Sequence, residues 1–505
     1  MQPNKTNLNP LKLPVLLSLY LMMIMPLHSQ TKKLNLFECI ELAADSSLRA
    51  FHAKSAYLSG YWDYRTYKAR HLPSVQLNLS PLQYNHSITQ RYDYNENIDI
   101  YRSQQSLSSS AGVSVSQLLG ATGGTFTANS SLNYLQNMGE NNFTQFSTTP
   151  FRIGYSQTLF GFNSHKWDKK LEPVKYGQTK MQFLYEKEGI AGEVVQLFFA
   201  LASVQTEYGI ARENLLSTDT LYRVGLERQK ISVISPADMM TLELDRVDAE
   251  NTLKNLELEL KNARFALASY LNMEGDEAVE PEIPLTHPVF IVDKETALTH
   301  ARENNPDYIQ NQRDLMESRK NVESSEKGNS VTASISGGVG FNQAASSFKD
   351  AYINPSQQDY LTFGLSIPAF DWGIRKGRLS ITRNNLKITR LSVEQKEEKL
   401  KQEIVSTIDN FNLQCRLIES ARRALELSKG AYDNTKQRFI VGKAEVANVT
   451  IASNRYKSVR QNYVNILRQY WTAYYKIRRL TLYDFANNQD LSSLFEENIK
   501  EYYYE

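Results

Sequence analysis

Seven histidines, at positions 28, 52, 71, 86, 165, 287 and 300, and two cysteines, Cys39 and Cys415, are the side chains best suited to bind a metal or attack a substrate. Both kinds of chemistry need partners one helical turn or one short loop away, as in HExxH or CxxC, and neither spacing occurs. The cysteines stand near opposite ends of the chain, so they read as small buried residues rather than a redox pair or a disulfide framework. Gly337-Gly338-Val339-Gly340 follows alternating strand residues and opens no helix, which excludes a phosphate loop. No acid, base and nucleophile cluster together. The sequence therefore predicts no catalytic residue, no cofactor, no metal and no enzyme.

Composition removes further classes. With 22% charged residues and a mean hydropathy of −0.46, the 505 residues cannot be a bundle of membrane-spanning helices. A formal charge of +2 gives no basic face for nucleic acid, and 11% aromatics are too many for a disordered polymer. Lys5 and Lys12 precede an apolar run from Leu13 to Leu27, followed by His28-Ser29-Gln30, the pattern of a secretory signal over residues 1–29. The rival reading, an anchor, needs about 20 apolar residues, and Pro26 interrupts this run. Without the signal, 55 basic residues face 55 acidic ones.

The elements that position any functional residue come from an internal repeat, which must be sought first. Arg228–Met239 and Arg438–Val449 match at an offset of 210, as do Tyr155–Asn163 and Leu365–Gly373. Toward the amino terminus, residues 43–48 match 301–306 at 258, and 74–80 match 330–336 at 256, so the first copy carries 46 more residues between 80 and 155. An insertion of that kind belongs in a loop.

Each copy reads as strands followed by a long helix and a return helix. Val75, Leu77 and Leu79 alternate with polar residues, as do Leu361, Phe363, Leu365 and Ile367, the period of strands with one apolar face. Such strands suit a membrane barrel or an ordinary half-buried sheet. Residues 164–231 and 374–441 then run almost without proline, and ~68 helical residues extend ~100 Å. Apolar residues at 249, 253, 256, 260, 263, 267 and 270, repeated at 459, 463, 466, 470, 473, 477 and 480, give heptad seams between helices. The predicted plan is α+β in two repeats: 30–274 (strands 74–84 and 151–161, insertion 85–150, helices 164–231 and 235–272), a linker 275–292, then 293–484 (strands 330–341 and 359–370, helices 374–441 and 445–482) and a tail 485–505.

Ser366-Ile367-Pro368-Ala369-Phe370-Asp371-Trp372-Gly373-Ile374-Arg375, Ala301-Arg302-Glu303-Asn304-Asn305-Pro306, the Arg438/Gly442 segment and Asn465–Asp484 resemble the TolC-like outer-membrane efflux proteins, in the style of Bacteroidetes members. The resemblance spans the chain from Leu34 to Asp484. It implies a homotrimer in which each copy gives four strands to a shared 12-stranded barrel, continued by a periplasmic α-helical barrel. It also implies a passive export duct in the outer membrane of a Gram-negative bacterium, serving tripartite efflux or type I secretion. The implied partners are a periplasmic adaptor (membrane fusion protein), an inner-membrane RND or ABC transporter and outer-membrane lipid. A periplasmic coiled-coil adaptor or scaffold without a pore is the alternative. Residues 85–150, including Ala111–Leu119 and Thr125–Leu135 around Gly120-Ala121-Thr122-Gly123-Gly124, read either as an extracellular hairpin or as additional membrane strands, and the hairpin is favoured because the family barrel is complete with four strands per copy.

The same resemblance places a periplasmic gate just after the tip reversal of the second repeat, where the family has acidic residues and this chain has Asn448 and Ile451. Glu445 lies one turn earlier, and the first-repeat counterpart of Asn448 is Asp238, whose copies around an axis would make an acidic ring. Asp238 could equally cap its helix. Arg228, Ser232, Arg438 and Gly442 are the expected tip and adaptor-docking positions, with Gly442 suited to reversing the chain. Phe160, Pro368, Phe370, Asp371 and Trp372 mark the junction of barrel and helix, where interfacial aromatics are expected.

Overall fold

The computed structural model describes residues 32–495 apart from 95, 139–141, 231–233, 274–278, 285–287, 441–442, 445 and 494. The expected signal, Ser232, Gly442, Glu445 and the tail beyond 495 lie outside the described residues. The chain begins with β1 (Lys32–Asn35), α1 (Leu36–Ser46) and α2 (Leu48–Ala69). Four strands follow, β2 (Ser74–Asp93), β3 (Ile98–Leu119), β4 (Gly124–Met138) and β5 (Phe143–Thr158), and then the long helix α3 (Ser164–Lys230) and its return α4 (Pro236–Tyr270). After β6 (Val279–Glu282), the second half runs α5 (Lys294–Asn304), α6 (Pro306–Gly328), β7 (Thr332–Ala345), β8 (Ser356–Ser366), α7 (Ile374–Ile440) and α8 (Val446–Thr481). Two short strands close it, β9 (Tyr483–Asp484) and β10 (Gln489–Asp490).

The repeat is visible in the caps. Asn35 and Asp293, 258 positions apart, begin α1 and α5, each with its side-chain oxygen accepting an amide three residues on at 2.9 Å. Ser47 and Asn305, again 258 apart, both end one helix and start the next, and both are buried. Helices α3 and α7 each have 67 residues and share the 210 offset at both ends. Each is about 100 Å long. Pro173 falls in the third turn of α3.

The helices form a layer in the order α4, α3, α8, α7, with α2 laid on α3 and α6 wedged against α3 and α7. The heptad seams face inward: Leu260, Leu267, Tyr470, Ala473, Ile477 and Leu480 are all buried. The main core lies partway along the rods, where Phe198, Phe199, Phe411, Tyr470 and Trp471 pack with α1 and α5. Cys39 belongs to this core and burial pushes its thiol up to about 12, whereas Cys415 is only partly buried; both are free thiols. Within the expected linker, β6 pairs in parallel with β1. The first tail residues fold back through β9 and β10, and Phe495 packs on Tyr57.

The sheet corrects the expected strand plan. Its order is β2-β3-β4-β5-β7-β8, all antiparallel, so the described residues of one chain supply six strands rather than four. Strand β2 runs to Asp93, not 84, and the supposed insertion carries β3 and β4. Pairing places most of the residues expected as a hairpin within the sheet. Ser74 pairs with Ser116 and Ser116 with Thr127, so β3 and β4 lie alongside β2 from its first residue. Only the β2–β3 tip, where Asp93 pairs with Ile98, projects beyond the pairing of β3 with β4, which stops at Gln105 and Met138.

Candidate functional site

The register sorts the whole sheet into two faces. Following cross-strand partners, Val75, Val115, Ala128, Ile153 and Val339 share one face, as do Leu77 with Val113 and Leu79 with Ala111. That face continues through Ile335 with Phe363 and Ala333 with Leu365. The opposite face carries Ser114 with Asn129, Ser110 with Asn133, Arg152 with Gly340, and Ser336 with Thr362. One-residue slips would exchange the faces. Irregularities at Ser80/Gln83 and Asn129/Ser131 absorb an extra residue, so that Tyr84 pairs with Leu107 and Leu132 with Thr148 on the apolar side. At the outer strands this face is bare: Leu77 is 63% and Phe363 63% exposed. A sheet apolar on one side and lined by Ser, Asn, Thr and Gly on the other fits hydrocarbon on one side and water on the other.

Aromatic side chains bracket the apolar band. Phe126 pairs with Tyr155 near one end, and Tyr134 with Phe146 toward the other, their rings 5.1 Å apart. Eight residues of strand separate Phe126 from Tyr134, about 27 Å at ~3.4 Å per residue. At a strand tilt of ~40° that is about 21 Å along the barrel axis, close to the ~25 Å of an outward-facing apolar band.

At the end of β8 the chain turns into α7 through the expected junction residues. The Asp371 carboxylate accepts from Arg375 Nε at 2.7 Å, from the Arg375 amide at 2.8 Å and from the Gly373 amide at 3.2 Å. Arg375 Nη1 also donates to the Pro368 carbonyl at 2.9 Å. The Arg375 hydrogen bond is the main cause that holds the Asp371 carboxyl below its usual range. Trp372 and Gly373 both have positive φ, 55° and 89°, which reverses the chain within two residues. The turn presents Phe370 and Trp372 edge to face at 4.7 Å, with Trp372 88% exposed. Phe160, at the matching place of the first repeat, is also exposed. Below the junction Trp167 Nε1 donates to Glu323 at 2.8 Å and Lys320 pairs with Asp168 at 2.8 Å, tying α3 to α6.

At the far end the structure gives Asp238 a local partner. The Ser235 hydroxyl donates to Asp238 Oδ2 at 2.6 Å and accepts the Asp238 amide at 3.1 Å, so the carboxylate sits in the first turn of α4, where the helix dipole favours it. Asp238 is nevertheless exposed, as are Asn448 and Ile451 on the first turns of α8. Between them in register, Met239 and Val449 are buried and hold the return helices down. Arg228 lies on the last turns of α3, and the exposed Arg438 accepts the Lys443 amide through its carbonyl at 2.8 Å. The tip candidates of the two repeats thus share one end of the rods, far from the junction set.

Sequence reasoning missed three features here. Tyr222 under Arg246 and Tyr432 against Tyr456 are repeat-equivalent ring contacts across the helix pairs near the tip, at 5.4 and 5.8 Å. Their 210 offset was available as a signal. Arg478, which joins α8 to Glu188 on α3 at 3.0 Å, had none. The outer helices also carry uncovered apolar residues at heptad spacing: Met240, Leu244, Val247, Leu258 and Phe265 on α4, and Ile374, Ile381, Ile388 and Leu391 on α7. Among the described residues no group of three or more His, Cys, Asp or Glu could hold a metal.

Comparison with known proteins agrees with this geometry. Residues 297–481 match the family model described as outer membrane efflux protein. No curated protein matches the chain. Among solved structures, the Campylobacter jejuni CmeC outer membrane channel superposes with a TM-score of 0.63 at 13% identity, covering 92% of this chain and 88% of that one. The outer membrane protein VceC from Vibrio cholerae gives 0.61 at 12% identity, covering 88% and 95%. A Pseudomonas aeruginosa membrane protein gives 0.62 at 15% identity, covering 88% and 93%. At these identities the likeness is one of fold.

Proposed function

From a chain whose second repeat carries the signature of the outer membrane efflux proteins, on a fold shared with outer-membrane channels, we propose a passive export duct running from the periplasm to the outside. The observation that carries this reading is the two-faced sheet with open edges. Among the described residues β2 and β8 each pair on one side only. A row of unpaired amides and carbonyls cannot face hydrocarbon, so a membrane sheet must close on further copies of itself. The uncovered heptad residues on α4 and α7 lie at the two edges of the helical layer, where neighbouring copies would continue it.

In this reading a homotrimer forms one barrel in the outer membrane and one helical tunnel in the periplasm. A periplasmic adaptor and an inner-membrane RND or ABC transporter supply cargo and energy, in tripartite efflux or type I secretion. No bond is made or broken in the duct. Its working step is opening of the tip, by sliding of the return helices against the long ones near residues 225–250 and 435–460. The apolar stretch of α3 packs inside the protein in this picture and crosses no membrane.

Membrane fractionation followed by single-channel recording of the purified protein tests the proposal. Recovery with the outer membrane, a need for detergent and discrete conductance steps are expected. A protein released as a soluble, non-conducting species would instead identify a periplasmic scaffold.

A further inference from the structure

We propose that β3 and β4 are wall strands of the closed barrel, so that three copies of this chain, joined β8 to β2, build an 18-stranded wall instead of a 12-stranded one. This rests on the channel reading above and specifies its membrane part. Three observations carry it. First, β3 and β4 sit inside the sheet order, between β2 and β5, and not beyond its end. Second, they obey the same two-faced pattern as their neighbours: Val113 and Leu132 fall on the apolar face, Ser114 and Asn133 on the polar one. An extracellular hairpin, wet on both sides, has no reason to gather Leu107, Ala111, Val113, Val115, Phe126, Ala128, Leu132 and Tyr134 on one face through 106–116 and 125–138, a pattern broken there only by Ser109, Ser130 and Gln136 and on the other face by Leu135. Third, β4 spans the same two aromatic levels as β5, Phe126 pairing with Tyr155 and Tyr134 with Phe146.

The occupant of each open edge is a second copy. Six antiparallel strands leave β2 and β8 running in opposite directions, so a β8-to-β2 seam continues the alternation without a parallel pair. The bare Leu361 and Phe363 of β8 and Leu77 and Leu79 of β2 place the apolar faces of both edges on the same side. Strands ~4.8 Å apart and tilted by ~40° give a barrel diameter of ~24 Å for 12 strands and ~36 Å for 18. The wall is then about 1.5 times as wide, in the range where barrels hold an open aqueous lumen.

The test uses the full chain with Cys39→Ala and Cys415→Ala and single cysteines added, in intact outer membranes of an expressing host. The probe is a charged, membrane-impermeant maleimide. Ser114→Cys and Asn133→Cys should label at least tenfold faster than Val113→Cys and Leu132→Cys. Equal labelling on both faces of β3 and β4, with Leu77→Cys and Phe363→Cys protected, overturns the inference and leaves the channel reading standing. Labelling of Leu77→Cys and Phe363→Cys as well overturns the channel reading itself. Pairing Leu361→Cys with cysteines scanned along Val75–Leu79 should give a crosslinked ladder ending at three chains. A ladder ending at two chains, which would close 12 strands, overturns the count of 18.

Discussion

Arg478 Nη2 lies 3.0 Å from Glu188 Oε1, a contact between residues 290 positions apart that joins the return helix of the second repeat to the long helix of the first. Arg478 also reaches Asp484 Oδ2 at 3.1 Å and lies over the rings of Tyr474 and Tyr475. Burial pushes the Glu188 carboxyl up, against the pull of Arg478. Removing only the guanidinium would strand the Glu188 carboxylate in the core and leave Asp484 with neutral donors only, the Tyr474 hydroxyl and the Ala486 and Asn487 amides among them. Arg478→Ala is therefore expected to cost about 3–5 kcal/mol. Exchanging the whole set, Arg478→Leu with Glu188→Leu and Asp484→Asn, should cost much less. Thermal unfolding in detergent compares them, and equal midpoints for wild type and Arg478→Ala would remove this contact from the stability argument.

Asn305 is fully buried and works twice: Oδ1 accepts the Asp307 amide at 2.8 Å, and Nδ2 donates to the Leu480 carbonyl at 2.8 Å. The hydroxyl of its repeat partner Ser47 accepts the Ala50 amide at 3.1 Å. Asn305→Ala should destabilise by about 1–3 kcal/mol because the Leu480 carbonyl loses a donor inside the protein. Ser47→Ala should cost about 1 kcal/mol. The reverse order of the two unfolding midpoints would contradict this account of the caps.

The junction should respond to acid. With its folded pKa held down by Arg375, Asp371 contributes stability above the unfolded aspartate value of ~3.9 and loses it as pH falls through the depressed folded value. Asp371→Asn should melt below wild type at neutral pH. That gap should begin to narrow as the medium falls below about pH 4 and close only below the depressed folded value; a gap that persists unchanged in acid would mean that the charge is not the source.

At the tip, the cap and the proposed acidic ring make separable demands on Asp238. Ser235→Ala removes the cap and should cost about 1 kcal/mol of stability, with ion selectivity unchanged. Asp238→Asn should lower the preference for cations in reversal-potential measurements under a salt gradient. Selectivity that survives Asp238→Asn leaves capping as its role.

The opening mechanism predicts that a disulfide across the tip stops export without dissociating the assembly. Gly225 faces Leu242 across α3 and α4, a Cβ placed at 225 lying 2.7 Å from Leu242 Cδ1, and these two positions carry the test. Export measured before and after reduction of Gly225→Cys/Leu242→Cys should recover with the thiols. Export at the wild-type rate with the bond verified would exclude sliding of α3 against α4.

Local pattern was enough for much of this protein. The 210 offset set two rods of equal length, heptad spacing told which side of α4 and α8 is buried, and alternation at Val75–Leu79 and Leu361–Ile367 told which strands have an apolar face. Asp371-Trp372-Gly373 read as a junction because a turn is built by neighbours in sequence. What tertiary structure decided is the company each strand keeps. Ser106–Ser116 alternates with Leu107, Ala111, Val113 and Val115, so its strand character was legible, yet nothing in that run says whether it pairs beside Ser74 or stands apart from the sheet. The Arg478 contact with Glu188 was hidden for the same reason. Period fixes the face a side chain takes, whereas register and neighbour are fixed by hydrogen bonds and packing between segments far apart in the chain.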